Sequence, residues 1–216
     1  MANHLQLFKS TRSGPCFVCA KGPSSNELIA SHDYTLGVTT FGVNDFERLF
    51  FPTTYTVIAD RIRIDHDYGE ELNKAVKSMT NSSSEFVFTS YPLRDKDGNG
   101  LAESKEVIYQ SEDVYNYGID ELFQRNSIPK CNTSTINAIG LAMYMGFQQI
   151  GVIGFDLYNH PIARNVSMID GGCKRLNDYA KQNGIEIINL SPRSMITAFE
   201  HLSLDQFYDL YIFEIF

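Results

Sequence analysis

The clearest pattern of apolar and polar positions runs from Cys131 to His160. Ile136, Ile139, Met143 and Phe147 recur at helical spacing, while Ala138, Leu141, Ala142 and Met145 make the remaining faces apolar too. This predicts a helix covered on more than one side. The small polar run Asn132, Thr133, Ser134, Thr135 can accept hydrogen bonds from a first helical turn, so the helix should begin near Ile136. Gly146 suits the left-handed residue that ends it, and Gly140 allows close packing. The run from Ile150 to Phe155 is too short for another helix and rich in β-branched residues, which fits a central parallel strand buried on both faces. Asp156, Tyr158, Asn159 and His160 follow at its C-terminal end, the edge where open α/β sheets bind ligands.

The same pattern repeats more weakly elsewhere. Cys16 to Ala20 reads as a first strand, followed by the turn Lys21-Gly22-Pro23-Ser24-Ser25-Asn26, whose backbone N–H groups would face a phosphate or ribose. A second strand, Leu36 to Phe41, ends near Asn44, and a third, Tyr55 to Ala59, is closed by Asp60 and Arg61. A surface helix over Glu70 to Met79 precedes strands at Glu85 to Tyr91 and Val107 to Tyr109. An aromatic connection with a short helix follows at Tyr115 to Phe123. A helix near Cys173 to Gln182 and a last strand, Ile185 to Leu190, complete the set. Strands alternating with helices and finishing in polar residues predict an α/β fold with a mostly parallel sheet flanked by helices.

Composition narrows the reading. A chain of 216 residues with 43% apolar content forms a full core, so one domain over residues 1–216 is expected. Net charge of −8 argues against non-specific nucleic-acid binding. The polar N-terminus and the lack of a long apolar run predict a cytoplasmic protein with no membrane span. The apolar tail, 204–216, should cover the domain or join another subunit in a homo-oligomer. Four cysteines in a chain this long do not form a disulfide framework, and the apolar centre of Cys16-x-x-Cys19 places the two thiols on opposite faces of a strand.

Asp95, Asp97, Asn99, Glu103 and Glu106, with Gly100 at the sixth position, match the spacing of a calcium loop. The preceding run is strand-like, no second loop accompanies it, and a polar hairpin turn is the expected reading. A calcium site and a catalytic metal are the alternatives.

The strand and turn FVCAKGPSS, the strand-end Asn44, the segment NTSTINAIGLAMYMGFQQIGVIGFD with Tyr158, and the final strand leading into INLSP together resemble the bacterial family 42 sialyltransferases. They are also similar to the domain-of-unknown-function 115 proteins, which include 6-hydroxymethylpterin diphosphokinases. The resemblance spans about Phe17 to Ser194. It implies a Rossmann-like sheet holding a CMP-linked sugar without a required metal or cofactor. Gly22, Pro23 and Ser24 would approach the nucleotide, Asn44 would bond the ligand, Thr133, Ser134 and Thr135 would meet ribose or phosphate, and Tyr158 would hold the leaving phosphate. Lys21 stands where those enzymes carry Asn, and no downstream histidine occupies a matching catalytic-base context.

The expected activity is therefore transfer of a sugar from a nucleotide-sugar donor to an acceptor hydroxyl on a glycan, a protein or a modified base. Helix N–H groups, Lys21 and Tyr158 would stabilise the leaving phosphate. His160 or Asp156 would take the acceptor's proton. An ATP- and Mg²⁺-dependent diphosphokinase leaning on Asp60 and Asp156 is the rival enzyme. A non-catalytic nucleotide-binding or assembly protein is the third reading.

Overall fold

The computed structural model describes residues 4–30, 37–59, 70, 74, 77–79, 81–93, 105–158 and 165–213. Its centre is an eight-stranded sheet. In chain order the strands are β1 (Pro15–Cys19), β2 (Thr39–Val43), β3 (Tyr55–Ile58), β4 (Phe86–Thr89), β5 (Glu106–Ile108), β8 (Gln149–Ile153), β9 (Glu186–Asn189) and β10 (Glu200–His201). A separate pair, β6 (Gln110–Asp113) and β7 (Ser127–Lys130), lies apart from it. Every pairing is parallel, and the large sheet runs β10-β9-β8-β1-β2-β3-β4-β5. The architecture is α/β with a parallel sheet, as the strand–helix alternation predicts, and Rossmann-like, as the family resemblance implies.

Parallel strands need right-handed crossovers, so the direction in which the chain steps across the sheet decides which face its helices take. From β1 the chain steps to β2 and β3, with the short helices α1 (Ser25–Ala30) and α2 (Phe46–Leu49) on one face. From β8 it steps the other way to β9, and the connecting helix α5 (Val166–Gln182) lies on the opposite face. Two cores result. One joins Cys16, Val18, Phe41 and Val152 to α3 (Ile119–Gln124), α4 (Ser134–Met145) and α5. The other joins Phe17, Cys19, Leu28, Phe46 and Ile153. Cys16 and Cys19 thus face opposite cores, as the period of a strand requires. All four cysteines are free and buried, and burial raises their pKa values, that of Cys131 to about 11.

Every residue of α4 is buried. Thr133 is its N-cap, with Oγ1 accepting from Thr135 N at 3.3 Å. Gly146 ends it at φ +103°, where a side chain would be strained. A Cβ on Gly140 would stand 2.7 Å from Pro129 Cδ, so only glycine lets α4 lie this close to β7.

The tail covers the second core. Helix α6 (Leu204–Tyr211) begins with a capping box between Ser203 and Gln206. Its Leu204 and Phe207 are buried, as is Ile212 just beyond it, and Phe207 packs on Phe17 with ring centroids 5.4 Å apart. The tail thus covers one face of the domain, which is one of the two roles expected for it. No helix among the described residues is long and apolar enough to cross a membrane.

Several element boundaries differ from expectation. α5 begins at Val166, well before Cys173, because Asn165 starts it without a side-chain cap and left no sequence mark. β6 and β7 fall in stretches, on either side of the aromatic connection, to which the sequence pattern assigns no element. Of the proposed helix at Glu70–Met79, residues 70, 74 and 77–79 are described and helical.

Candidate functional site

Strand order reverses between β1 and β8: the chain leaves β1 toward β2 and leaves β8 toward β9. Diverging connections open a crevice at the C-terminal ends of these two strands. The turn after β1 and the turn after β8 are locked together there. Gly22 N donates to Gly154 O at 2.8 Å. Ser24 N and Ser24 Oγ donate to Asp156 Oδ2 at 3.1 and 2.9 Å, and Gly154 N donates to Ser24 Oγ at 3.0 Å. A Cβ on Gly22 would fall on Asp156 Oδ2 and Gly154 O, so glycine is required for this approach.

The segment after β9 joins the same knot. Ser191 Oγ lies 2.9 Å from Ser24 Oγ and accepts from Phe155 N at 3.2 Å. Met195 N donates to Asp156 O at 3.0 Å. Asp156 is only 3% exposed; its carboxylate ties the turns after β1 and β8, and its backbone carbonyl holds the segment after β9.

On the other flank, Lys21 forms an ion pair with Asp45, just past β2. Arg48 Nε and Nη2 reach the second oxygen of the same carboxylate, each at 3.0 Å. Burial pushes the Asp45 carboxyl up, but the hydrogen bonds and charges of Lys21 and Arg48 outweigh it and hold the pKa below its usual value. Lys21 and Arg48 keep about a third of their side-chain surface exposed, so two cations share one buried anion at the crevice mouth.

The structure therefore brings Lys21, Gly22, Pro23, Ser24, Asn44 and Asp156 to one place, with Tyr158 two residues beyond Asp156. Tyr158 is 62% exposed. α4 brings its own start to the same edge. The last turn of α4 meets the chain before β1, where Ser10 N and Arg12 N donate to Tyr144 O and Met145 O. Twelve residues of helix span about 18 Å, which puts Thr133, Ser134 and Thr135 at the opposite edge, level with the strand ends. Asn44, Asn132 and Leu157 all adopt positive φ, three of the five non-glycine residues that do so among those described. Strain of this kind concentrates where the chain must aim a group rather than extend an element.

One expectation is corrected. The turn after β1 does not offer a row of free N–H groups, because Gly22 N, Ser24 N, Ser25 N and Asn26 N are all bonded within the protein. Its task is close packing, and the donors of this edge come from elsewhere. Asp60 and His160 lie outside the described residues, as do Asp95, Asp97 and Asn99 of the calcium-like loop. Glu106 lies in β5, where its Oε1 accepts from Leu93 N at 2.6 Å and Thr89 Oγ1 at 3.3 Å, so the loop's C-terminal flank is a strand. No group of three or more metal-ligating side chains occurs among the described residues.

Solved structures share the fold. The sialyltransferase CstII from Campylobacter jejuni, in complex with the substrate analogue CMP-3FNeuAc, superposes with a TM-score of 0.51. Identity is 16%, over 89% of this chain and 86% of that one. A mutant of the α-2,3/8-sialyltransferase CstII gives a TM-score of 0.52 at 16% identity, over 88% and 86%. The fold is similar to that of CstII. No family model matches the sequence, and no curated protein matches it significantly.

Asp45 and Asn137 carry no local mark in the sequence. Asp45 looks like an ordinary turn residue, and nothing local shows that Lys21 will reach it. Asn137 looks like a neutral position in an apolar helix, although it is buried there and its Nδ2 has no hydrogen-bond partner among the described residues.

Proposed function

We propose that this chain is a glycosyltransferase that moves a sugar from a nucleotide-sugar donor, of the CMP-sugar type, to an acceptor hydroxyl. The observation that carries the reading is the reversal between β1 and β8, which gathers Lys21, Asn44, Asp156 and Tyr158 on one edge of a CstII-like sheet. CstII has been solved in complex with CMP-3FNeuAc, and a ligand of that type is proposed here for the edge where the strands end, the place open α/β sheets use.

The chemistry asks little of the protein beyond charge placement. The bond between the anomeric carbon and the phosphate oxygen breaks, its electron pair goes to the phosphate, and the acceptor oxygen bonds to that carbon. Lys21, the Tyr158 hydroxyl and the start of α4 are the groups proposed to stabilise the charge left on the phosphate. His160, two positions past Tyr158, is the candidate to accept the acceptor's proton. Asp156 is assigned a bracing role, since its carboxylate oxygen already takes two hydrogen bonds from Ser24.

A thermal-shift screen with CMP, UDP, their sugar conjugates, and ATP with and without Mg²⁺ tests the proposal. A rise with CMP or a CMP-sugar is expected. A rise confined to ATP with Mg²⁺ would favour the diphosphokinase, and no rise with any nucleotide would favour a non-catalytic protein.

A further inference from the structure

We propose that Asn137 is a positioning residue for the donor, with Nδ2 donating a hydrogen bond to an oxygen on its phosphate or its transferred sugar. This rests on the nucleotide-sugar reading above. Asn137 stands four residues past the N-cap Thr133, in the first turns of α4. Side chains on a helix lean toward its N-terminus and over the residues three and four positions back. The carboxamide is thereby directed toward Thr133 and Ser134, at the edge where the strands end.

Asn137 is 2% exposed, and its Nδ2 has no hydrogen-bond partner among the described residues. Leaving a buried donor unmade is costly, and folded proteins keep few such groups. An alanine or leucine here would form helix more readily and carry no polar atom to desolvate. The other large polar group of α4 shows the contrast, because Tyr144 OH donates to Asn126 Oδ1 at 2.7 Å. A neutral donor beside the positive end of a long helix is suited to an electronegative oxygen, and a nucleotide sugar brings such oxygens to this edge.

Calorimetric titration of CMP and of CMP-3FNeuAc into wild type, Asn137→Leu and Asn137→Ala provides the test, with melting curves of each protein without ligand. Loss of one buried hydrogen bond should weaken binding about tenfold. Equal weakening for both ligands would place the partner oxygen on the nucleotide. Weakening confined to CMP-3FNeuAc would place it on the sugar. Asn137→Leu should melt at or above the wild-type temperature, because an unpaired amide is removed. Wild-type affinity for both ligands in either folded variant would overturn the inference while leaving the nucleotide site standing. A fall of several degrees in the unliganded Asn137→Leu protein would also overturn it, by showing that the amide's partner lies inside the protein. Failure of wild type to bind either ligand would instead remove the CMP-sugar reading itself, and this inference with it.

Discussion

Ser24 and Asp156 are 132 positions apart, yet Ser24 donates to one oxygen of Asp156 twice, from its backbone N at 3.1 Å and its hydroxyl at 2.9 Å. The pair closes the turns after β1 and β8 onto each other, and Gly22 makes room for it. Asp156→Ala leaves Ser24 N buried without an acceptor, while the Ser24 hydroxyl keeps Ser191 Oγ, and should cost about 1–3 kcal/mol in urea unfolding. Gly22→Ala should cost about as much or more, because its Cβ would collide with the same carboxylate and with backbone. Full stability in Asp156→Ala, together with loss of transferase activity, would move Asp156 from bracing to chemistry.

Three carboxylates should make the protein sensitive to acid. Burial pushes Asp45, Glu47 and Asp170 up, but hydrogen bonds and neighbouring cations win and leave each below its ordinary pKa. Glu47 accepts from Thr53, Ser82, Ser83 and Ser84, tying the segment before β4 to the β2–β3 connection. Asp170 accepts from Thr197 N and Ala198 N at 2.7 and 3.0 Å. A depressed folded pKa contributes stability that is present above the unfolded value of about 4 and lost as pH falls through the folded value. Urea midpoints should therefore hold from pH 7 to about 5 and drop below about 4. Glu47→Gln should lower the midpoint at pH 7 and flatten the acid limb; an unchanged acid limb would remove Glu47 from this account.

The tail should be indispensable to the fold. Leu204, Phe207 and Ile212 cover the face of the sheet formed by Phe17, Ile153 and Ile188, and burying each contributes on the order of 1.5–3 kcal/mol. Phe207→Ala should cost about 3–5 kcal/mol, and deletion of residues 204–216 should give aggregated protein in size-exclusion chromatography. A monodisperse truncation with the wild-type melting temperature would show that the face needs no cover.

How much of this was legible beforehand followed the strength of local signals. α4 announced itself through its unbroken apolar content, the hydroxyl run at Thr133 and the glycine at 146, because cap and stop chemistry is local. β1 and β8 were legible as short β-branched or apolar runs ending in polar turns. β6 and β7 were not, since QSED carries no apolar pattern and SIPK contains a proline. The site divided in the same way. Glycines and hydroxyls at strand ends marked its edge, whereas the Lys21–Asp45 pair and the burial of the Asn137 amide arise from contacts that only the fold supplies.

The central claim is that a nucleotide lies across the strand ends of β1 and β8, and a crystal structure of the protein with CMP-3FNeuAc tests it most directly. The account predicts the nucleotide against the Lys21–Ser24 turn, with its phosphate within hydrogen-bond reach of Lys21 Nζ, Tyr158 OH or the first turn of α4. A nucleotide at the opposite edge of the sheet, or none at saturating ligand, would contradict it.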